Sequence, residues 1–215
     1  MRDMHNLPGV AKPKTNDDME RHLQSLRDGG EGSAASFANP ERNVERIGIE
    51  NSMHVADFGA GSGAYTFAMA QRMGNGGLVY AIDVQRDLLR RIKNEAESRG
   101  LKNVRIVWGD VENAGGSKLT DGSIDVVIIS NILFQLEDKG GAMREAWRVL
   151  RNGGKLAVIE WSESYGGMGP HKNDVVRKDE ALEFAQREGF TPIQEFNAGA
   201  HHYGLTFRKP LNSGQ

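Results

Sequence analysis

The chain has 215 residues, with 27 Lys plus Arg against 29 Asp plus Glu for a formal net charge of -2, and no cysteine. The absent thiols exclude disulfides, thiolate metal sites and cysteine nucleophiles, and the near-balanced charge gives no global reason to bind nucleic acid. No apolar run approaches the ~18 residues of a membrane span, so a soluble, cytoplasmic protein of one domain with appendages is expected.

Residues 1–38 are polar, contain Pro8 and Pro13, and read as an N-terminal tail and lid segment with a short helix at about 18–27; the main domain is expected over 39–210, and 211–215 is a tail. A second short helix should follow "SFANP", because Asn39 can cap it and Pro40 suits its first position, with Val44 and Ile47 on one face. Its expected role is to cover the site. From Met53 the pattern is regular: the strand "MHVADFG", the helix "GAYTFAMAQRMG", the strand "LVYAIDV", a helix over 86–99, then the strand "VRIVWGD". A loop "NAGGSKLTDG", the strand "IDVVIIS", a helix over 137–150, the strand "GKLAVIEW" and a helix over 175–188 follow. The last two strands, "TPIQEFN" and "HHYGLTFRK", are separated by "AGA".

Strands alternating with helices imply parallel crossovers, and "VVII" and "LAVI" are apolar without alternation, as in a sheet covered on both faces. The expected fold class is α/β, a Rossmann-like seven-stranded sheet flanked by helices, closed by one antiparallel strand.

The stretch "VADFGAGSGAYT" places Gly59, Gly61 and Gly63 at every second position at a strand end, where positive φ or close approach to a ligand is needed. Taken alone it also fits a dinucleotide fingerprint. Asp57 opposes that alternative, since a carboxylate there repels phosphate and welcomes an ammonium or sulfonium. Asp83 suits vicinal hydroxyls in either ligand, and Asp110 suits an exocyclic amine, so three carboxylates fit an adenosyl amino acid. Each acid also reads as a loop cap, and Tyr65 fits core packing as well as ligand contact.

Ligands of open α/β sheets lie beyond the carboxyl ends of the strands. The loops there supply Asn131, Phe134 and Gln135; Trp161, Ser162, Glu163, Tyr165, Met168 and His171; and His201, His202 and Tyr203. The glycine-rich "SESYGGMGPHKND" reads as a mobile substrate loop or an ordinary surface connection. His201 and His202 are adjacent on an expected extended segment, so at most one faces an acceptor, where it can act as general base.

With these motifs in order, "VADFGAGSGAYT", "VYAIDVQ", "WGDVEN", "SNILFQLED" and "EAWRVLRNGGKLAVIEW", the chain resembles class I S-adenosylmethionine-dependent methyltransferases. The likeness runs over roughly 39–209 and is strongest to small members similar to the ubiquinone and menaquinone C-methyltransferases. It implies a strand order 3-2-1-4-5-7-6 with the seventh strand antiparallel, S-adenosylmethionine as cofactor, S-adenosylhomocysteine as product and no metal. It also implies that Gly59, Gly61 and Gly63 turn under the methionine part, with Tyr65 following, and that Asp57 holds the amino group. Asp83 takes the ribose hydroxyls with Val84 beside it, Asp110 the adenine amino group, the Val111 backbone a ring nitrogen, and Asn131 lies by the methionine. The implied reaction is in-line O-, C- or N-methylation of a small-molecule acceptor, with His201, His202 and Tyr203 as candidate catalytic residues.

The motif "SNIL" departs from the Asn/Asp-Pro-Pro-aromatic pattern of nucleobase amine methyltransferases, and the missing cysteines oppose arsenite methylation. An RNA or protein methyltransferase, a non-catalytic S-adenosylmethionine-binding module and a nicotinamide oxidoreductase stay open as alternatives, as does the oligomeric state.

Overall fold

The computed structural model describes residues 38–211. The expectations for 1–37, including the helix at 18–27, and for the tail after 211 lie outside the described residues.

Local chemistry sets the helix ends. The Asn39 side chain accepts the Arg42 N–H at 2.9 Å, Pro40 occupies the first turn, and Gly48 at φ +77° closes α1 (Pro40–Ile47). The carboxyl end of α2 (Ala64–Met73) is closed by the buried Asn103, whose amide donates to the carbonyls of Ala70 at 2.9 Å and Gly74 at 2.6 Å. Then come α3 (Arg86–Ser98), α4 (Lys139–Val149) and α5 (Lys178–Arg187). Lys209 donates to the Trp147 and Leu150 carbonyls at 2.7 Å and so closes α4.

Seven strands form one sheet: β1 (His54–Phe58), β2 (Leu78–Asp83), β3 (Val104–Trp108), β4 (Ile124–Ser130), β5 (Leu150–Trp161), β6 (Thr191–Gly199) and β7 (His202–Arg208). Their order is β3-β2-β1-β4-β5-β7-β6, with β7 antiparallel between β5 and β6, as expected from the resemblance. Val55, Val79, Val126, Ile128 and Ile159 pack with α1 and α2 on one face. Phe58, Val127, Ile129, Val158 and Phe207 pack with α4 and α5 on the other. Burial on both faces explains the apolar runs without alternation.

Element boundaries differ from the expectations for local reasons. α4 starts at Lys139 rather than 137, because Asp138 accepts the Gly141 N–H at 2.8 Å and caps it there. α5 starts at Lys178 rather than 175, held by the Glu180 carboxylate on the Arg177 N–H at 2.8 Å. β5 begins at Leu150, which pairs with Ile124 ahead of a register shift, so it includes residues read as a connection before "GKLAVIEW". β6 runs on to Gly199, leaving Ala200 and His201 as the turn.

The loop between β3 and β4 is fixed by Glu145 of α4. This buried carboxylate accepts the backbone N–H groups of Gly115 at 2.8 Å and Ser117 at 3.0 Å, the Ser117 hydroxyl, and the Arg148 guanidinium at 2.7 and 2.9 Å. Burial pushes its pKa up, but Arg148, Ser117 and the two N–H groups outweigh that and hold it at about 2.

Candidate functional site

At the carboxyl end of β1 the chain turns through Gly59, Gly61 and Gly63, at φ +70°, +54° and +85°. The three glycines are needed for different reasons. A Cβ on Gly59 would lie 2.6 Å from Ile132 Cγ2, so this glycine lets the loop after β4 close against the turn. One on Gly63 would lie 2.8 Å from the Phe67 ring and 3.0 Å from Ile92, inside the packing of α2 and α3. Among the described residues, one on Gly61 meets nothing nearer than the Gly59 carbonyl at 3.8 Å, and therefore points into open space.

The acids of β1 and β2 frame this turn. Asp83 accepts the Gly61 N–H at 3.0 Å and the Gln85 N–H at 2.8 Å, which ties the turn to the end of β2. Asp57 is buried and accepts the Thr66 hydroxyl at 2.6 Å. Its burial, with a smaller contribution from neighbouring Asp83, pushes its pKa up to about 6. Val84 is exposed beside Asp83, and its carbonyl accepts the Trp108 indole N–H at 3.0 Å. Asp110 shapes the loop after β3 through the Glu112 N–H at 3.0 Å and the Asn113 amide at 2.8 Å, with Val111 buried next to it.

Asn131 follows β4 with φ +56°, a conformation that non-glycine residues adopt at a cost. Its backbone N–H donates to the Ile159 carbonyl at 2.8 Å, and its own carbonyl accepts the Gln135 amide at 3.0 Å. Its side-chain Oδ1 is buried and has no hydrogen-bond partner among the described residues. Tyr65 is buried under α1, where its hydroxyl accepts the Asn43 amide at 2.9 Å, and burial pushes its pKa up to about 12.

The loop after β5 and the β6–β7 turn meet at the same end of the sheet. His201 has φ +62° and lies in the turn, not on an extended segment, so it does not alternate with His202 as expected. Its Nδ1 is 2.6 Å from Glu163 Oε1, and its ring stacks on Tyr165 at 3.8 Å. His202 is buried, with its ring 4.2 Å from that of Trp161. Tyr203 does not join the histidines, because its hydroxyl donates to the Val176 carbonyl at 2.9 Å within the core under α5. Gly169 packs so closely on Trp161 that a Cβ would lie 2.6 Å from the indole, and Met168 N–H donates to the Tyr165 carbonyl at 2.8 Å. These contacts fold the glycine-rich loop back over Trp161, while Ser162 and His171 are exposed. Phe134 and Gln135 fall in a 3-10 turn, Leu133–Gln135, that the sequence reading did not anticipate.

That reading also missed Glu160, a buried acid near the carboxyl end of β5 that accepts the Leu133 N–H at 2.7 Å and contacts the backbone N–H groups of Ile132 and Trp161. Burial pushes its pKa up to about 8. A single acid in the apolar run "LAVIEW" was the available signal. The Ile159 carbonyl thus holds the backbone at the strained Asn131, and Glu160 holds the residues just after it.

A family described as "Methyltransferase domain" matches residues 49–198. The chain is 31% identical over 156 residues to the arsenite methyltransferase of Aquipseudomonas alcaligenes, covering 71% of this chain and 44% of that protein. It is 32% identical over 121 residues to a ubiquinone/menaquinone biosynthesis C-methyltransferase of Idiomarina loihiensis, covering 56% and 47%. The chain thus spans about half the length of these curated relatives. Among solved structures, it is similar to a SAM-dependent methyltransferase from Aquifex aeolicus (TM-score 0.76, 24% identity, 88% of this chain and 97% of that one). It is also similar to the [4+2]-cyclase SpnF (TM-score 0.71, 17% identity, 90% and 94%). These two structural likenesses show the fold alone.

Proposed function

The chain belongs to the methyltransferase-domain family, and on that premise we propose that it transfers a methyl group from S-adenosylmethionine to a small-molecule acceptor. The observation that carries this reading is the acceptor set around the open Gly61 turn: three acids at or just beyond strand ends, Asp57, Asp83 and Asp110, together with the buried Oδ1 of Asn131, which has no hydrogen-bond partner among the described residues. An amino acid joined to an adenosine offers an ammonium, two ribose hydroxyls and an exocyclic amine, so each of its donor groups finds an acceptor here. A pyrophosphate would face carboxylates instead.

When bound, S-adenosylmethionine supplies a methyl on a sulfonium. In this reading Asp57 and Asn131 orient the ammonium end, Asp83 the ribose with Val84 beside it, and Asp110 and the Val111 backbone the adenine. Tyr65 supports α1 from below through Asn43. Trp161 and the folded loop after β5 exclude water from the acceptor side, which aligns the acceptor without requiring a dedicated group for every proton. Thiolate-held arsenic is not part of the reading, because none of the 215 residues is a cysteine.

Calorimetry tests the cofactor: S-adenosylhomocysteine should bind with a Kd in the micromolar range, roughly -8 kcal/mol, and NAD should show no comparable heat. Equal affinity for NAD refutes the reading. Metabolite profiling of cell extract with methyl-labelled cofactor then identifies the acceptor.

A further inference from the structure

We propose that His202 is the acceptor-binding base, and that it selects a hydroxyl donor on a planar body, such as a phenol or enol. This deepens the methyl-transfer reading and rests on it for the word acceptor. The tautomer follows from geometry. His202 Nδ1 lies 2.8 Å from the Ala200 carbonyl, which can only accept, so Nδ1 carries the proton and Nε2 carries the lone pair. Nε2 is buried and, among the described residues, shares with Asn131 Oδ1 alone the condition of a buried side-chain polar atom without a hydrogen-bond partner. A buried acceptor left unmatched costs free energy, so a ligand that donates to it is favoured over one that does not.

The surroundings narrow the donor. The ring lies 4.2 Å from the Trp161 indole, and Glu195, Phe196, Asn197 and Tyr203 line the adjoining groove. The ring faces of Trp161 and Phe196 favour a planar body. Burial also depresses the His202 pKa, which keeps the imidazole neutral and its lone pair available. The other two candidates have different geometry: His201 pairs with Glu163 on the turn, and Tyr203 donates its hydroxyl to Val176. Where the acceptor proton is lost, it passes from the hydroxyl oxygen to Nε2, and the electron pair of the broken O–H bond stays on oxygen.

Phenol and its methyl ether anisole are matched probes that differ by one donor. With the full chain labelled at its histidine nitrogens, phenol should shift the His202 Nε2 resonance and anisole should not. His202→Phe, which keeps a ring against Trp161, should weaken phenol binding at least about tenfold and leave anisole within about twofold; His202→Gln, which keeps an acceptor, should recover part of the loss. Equal effects of the two probes on Nε2, or phenol binding unchanged in His202→Phe, overturn the proposal. The nitrogen shift is read on the parent protein, so it decides even where a variant does not fold. S-adenosylhomocysteine affinity is measured separately: its absence in the parent refutes methyl transfer, whereas the probe result judges His202.

Discussion

The sharpest test of the glycine turn replaces Gly61 and Gly63 separately by alanine. Both residues have positive φ, so each substitution carries the left-handed penalty of an L side chain, about 1–2 kcal/mol. Only Gly63 adds a collision, since its new Cβ would sit 2.8 Å from the Phe67 ring and 3.0 Å from Ile92. Overpacking of that kind typically adds about 1–3 kcal/mol, giving a total of roughly 2–5 kcal/mol. At Gly61 the new methyl meets, among the described residues, only the Gly59 carbonyl, at 3.8 Å, and the cost to folding stops at the backbone strain.

Binding should show the opposite order. The open space over Gly61 is where the ligand is placed by the proposed function, so Gly61→Ala should weaken S-adenosylhomocysteine at least about tenfold, or about 1.4 kcal/mol. Gly63→Ala should lose mainly stability. Urea denaturation gives the first quantity and calorimetry the second, both measured where each variant is folded. If Gly61→Ala binds within about twofold of the parent, the open space is not the ligand's and the three glycines serve the turn alone.

Asp57 should make cofactor affinity pH-dependent: a bound ammonium requires its ionised form, so with a pKa near 6 in the unbound protein, affinity should rise as pH rises through about 6 and level off above it. Calorimetry between pH 5 and 7.5 (roughly one pH unit either side of that midpoint) checks this, and a flat profile would leave Asp57 as the partner of Thr66 alone. Glu145→Gln should cost about 2 kcal/mol, less than the ~3–5 kcal/mol of a fully buried pair because the Arg148 side chain is 24% exposed. Because the native pKa of Glu145 is depressed to about 2, the parent should hold this contribution above pH ~4.5 and lose it as pH falls towards 2; acid titration of denaturation midpoints should show the gap to the variant closing.

The fold was legible because its signals are local. Asn39, Pro40 and Gly48 announce α1 within ten residues, and the glycines after β1 and the apolar run of β4 carry their own meaning. Boundaries failed where a side chain decided them: Asp138 and Glu180 each accept a backbone N–H three residues away and shift a helix start that periodicity alone cannot locate. The hairpin failed similarly, since β6 extends two residues further than its apolar residues suggest and leaves His201 in a turn.

The site divides along the same line. Asp57, Asp83 and Asp110 were visible because each lies at or within two residues of a strand end, a position that sequence order fixes. Glu160, by contrast, acts on the Leu133 N–H 27 residues earlier in the chain, across the β4–β5 pairing that aligns Ser130 with Ile159. Glu145 reaches the loop at Gly115 and Ser117 in the same way, from a helix on the other side of β4. The choice between two adjacent histidines likewise depends on a carbonyl at Ala200 and a carboxylate at Glu163, one from the turn itself and one from a loop 38 residues away. Residue type tells which groups can accept or hold a proton, whereas the register of β5 and β7, pairing Trp161 with His202, determines which of them is buried beside a ring with a lone pair unmatched.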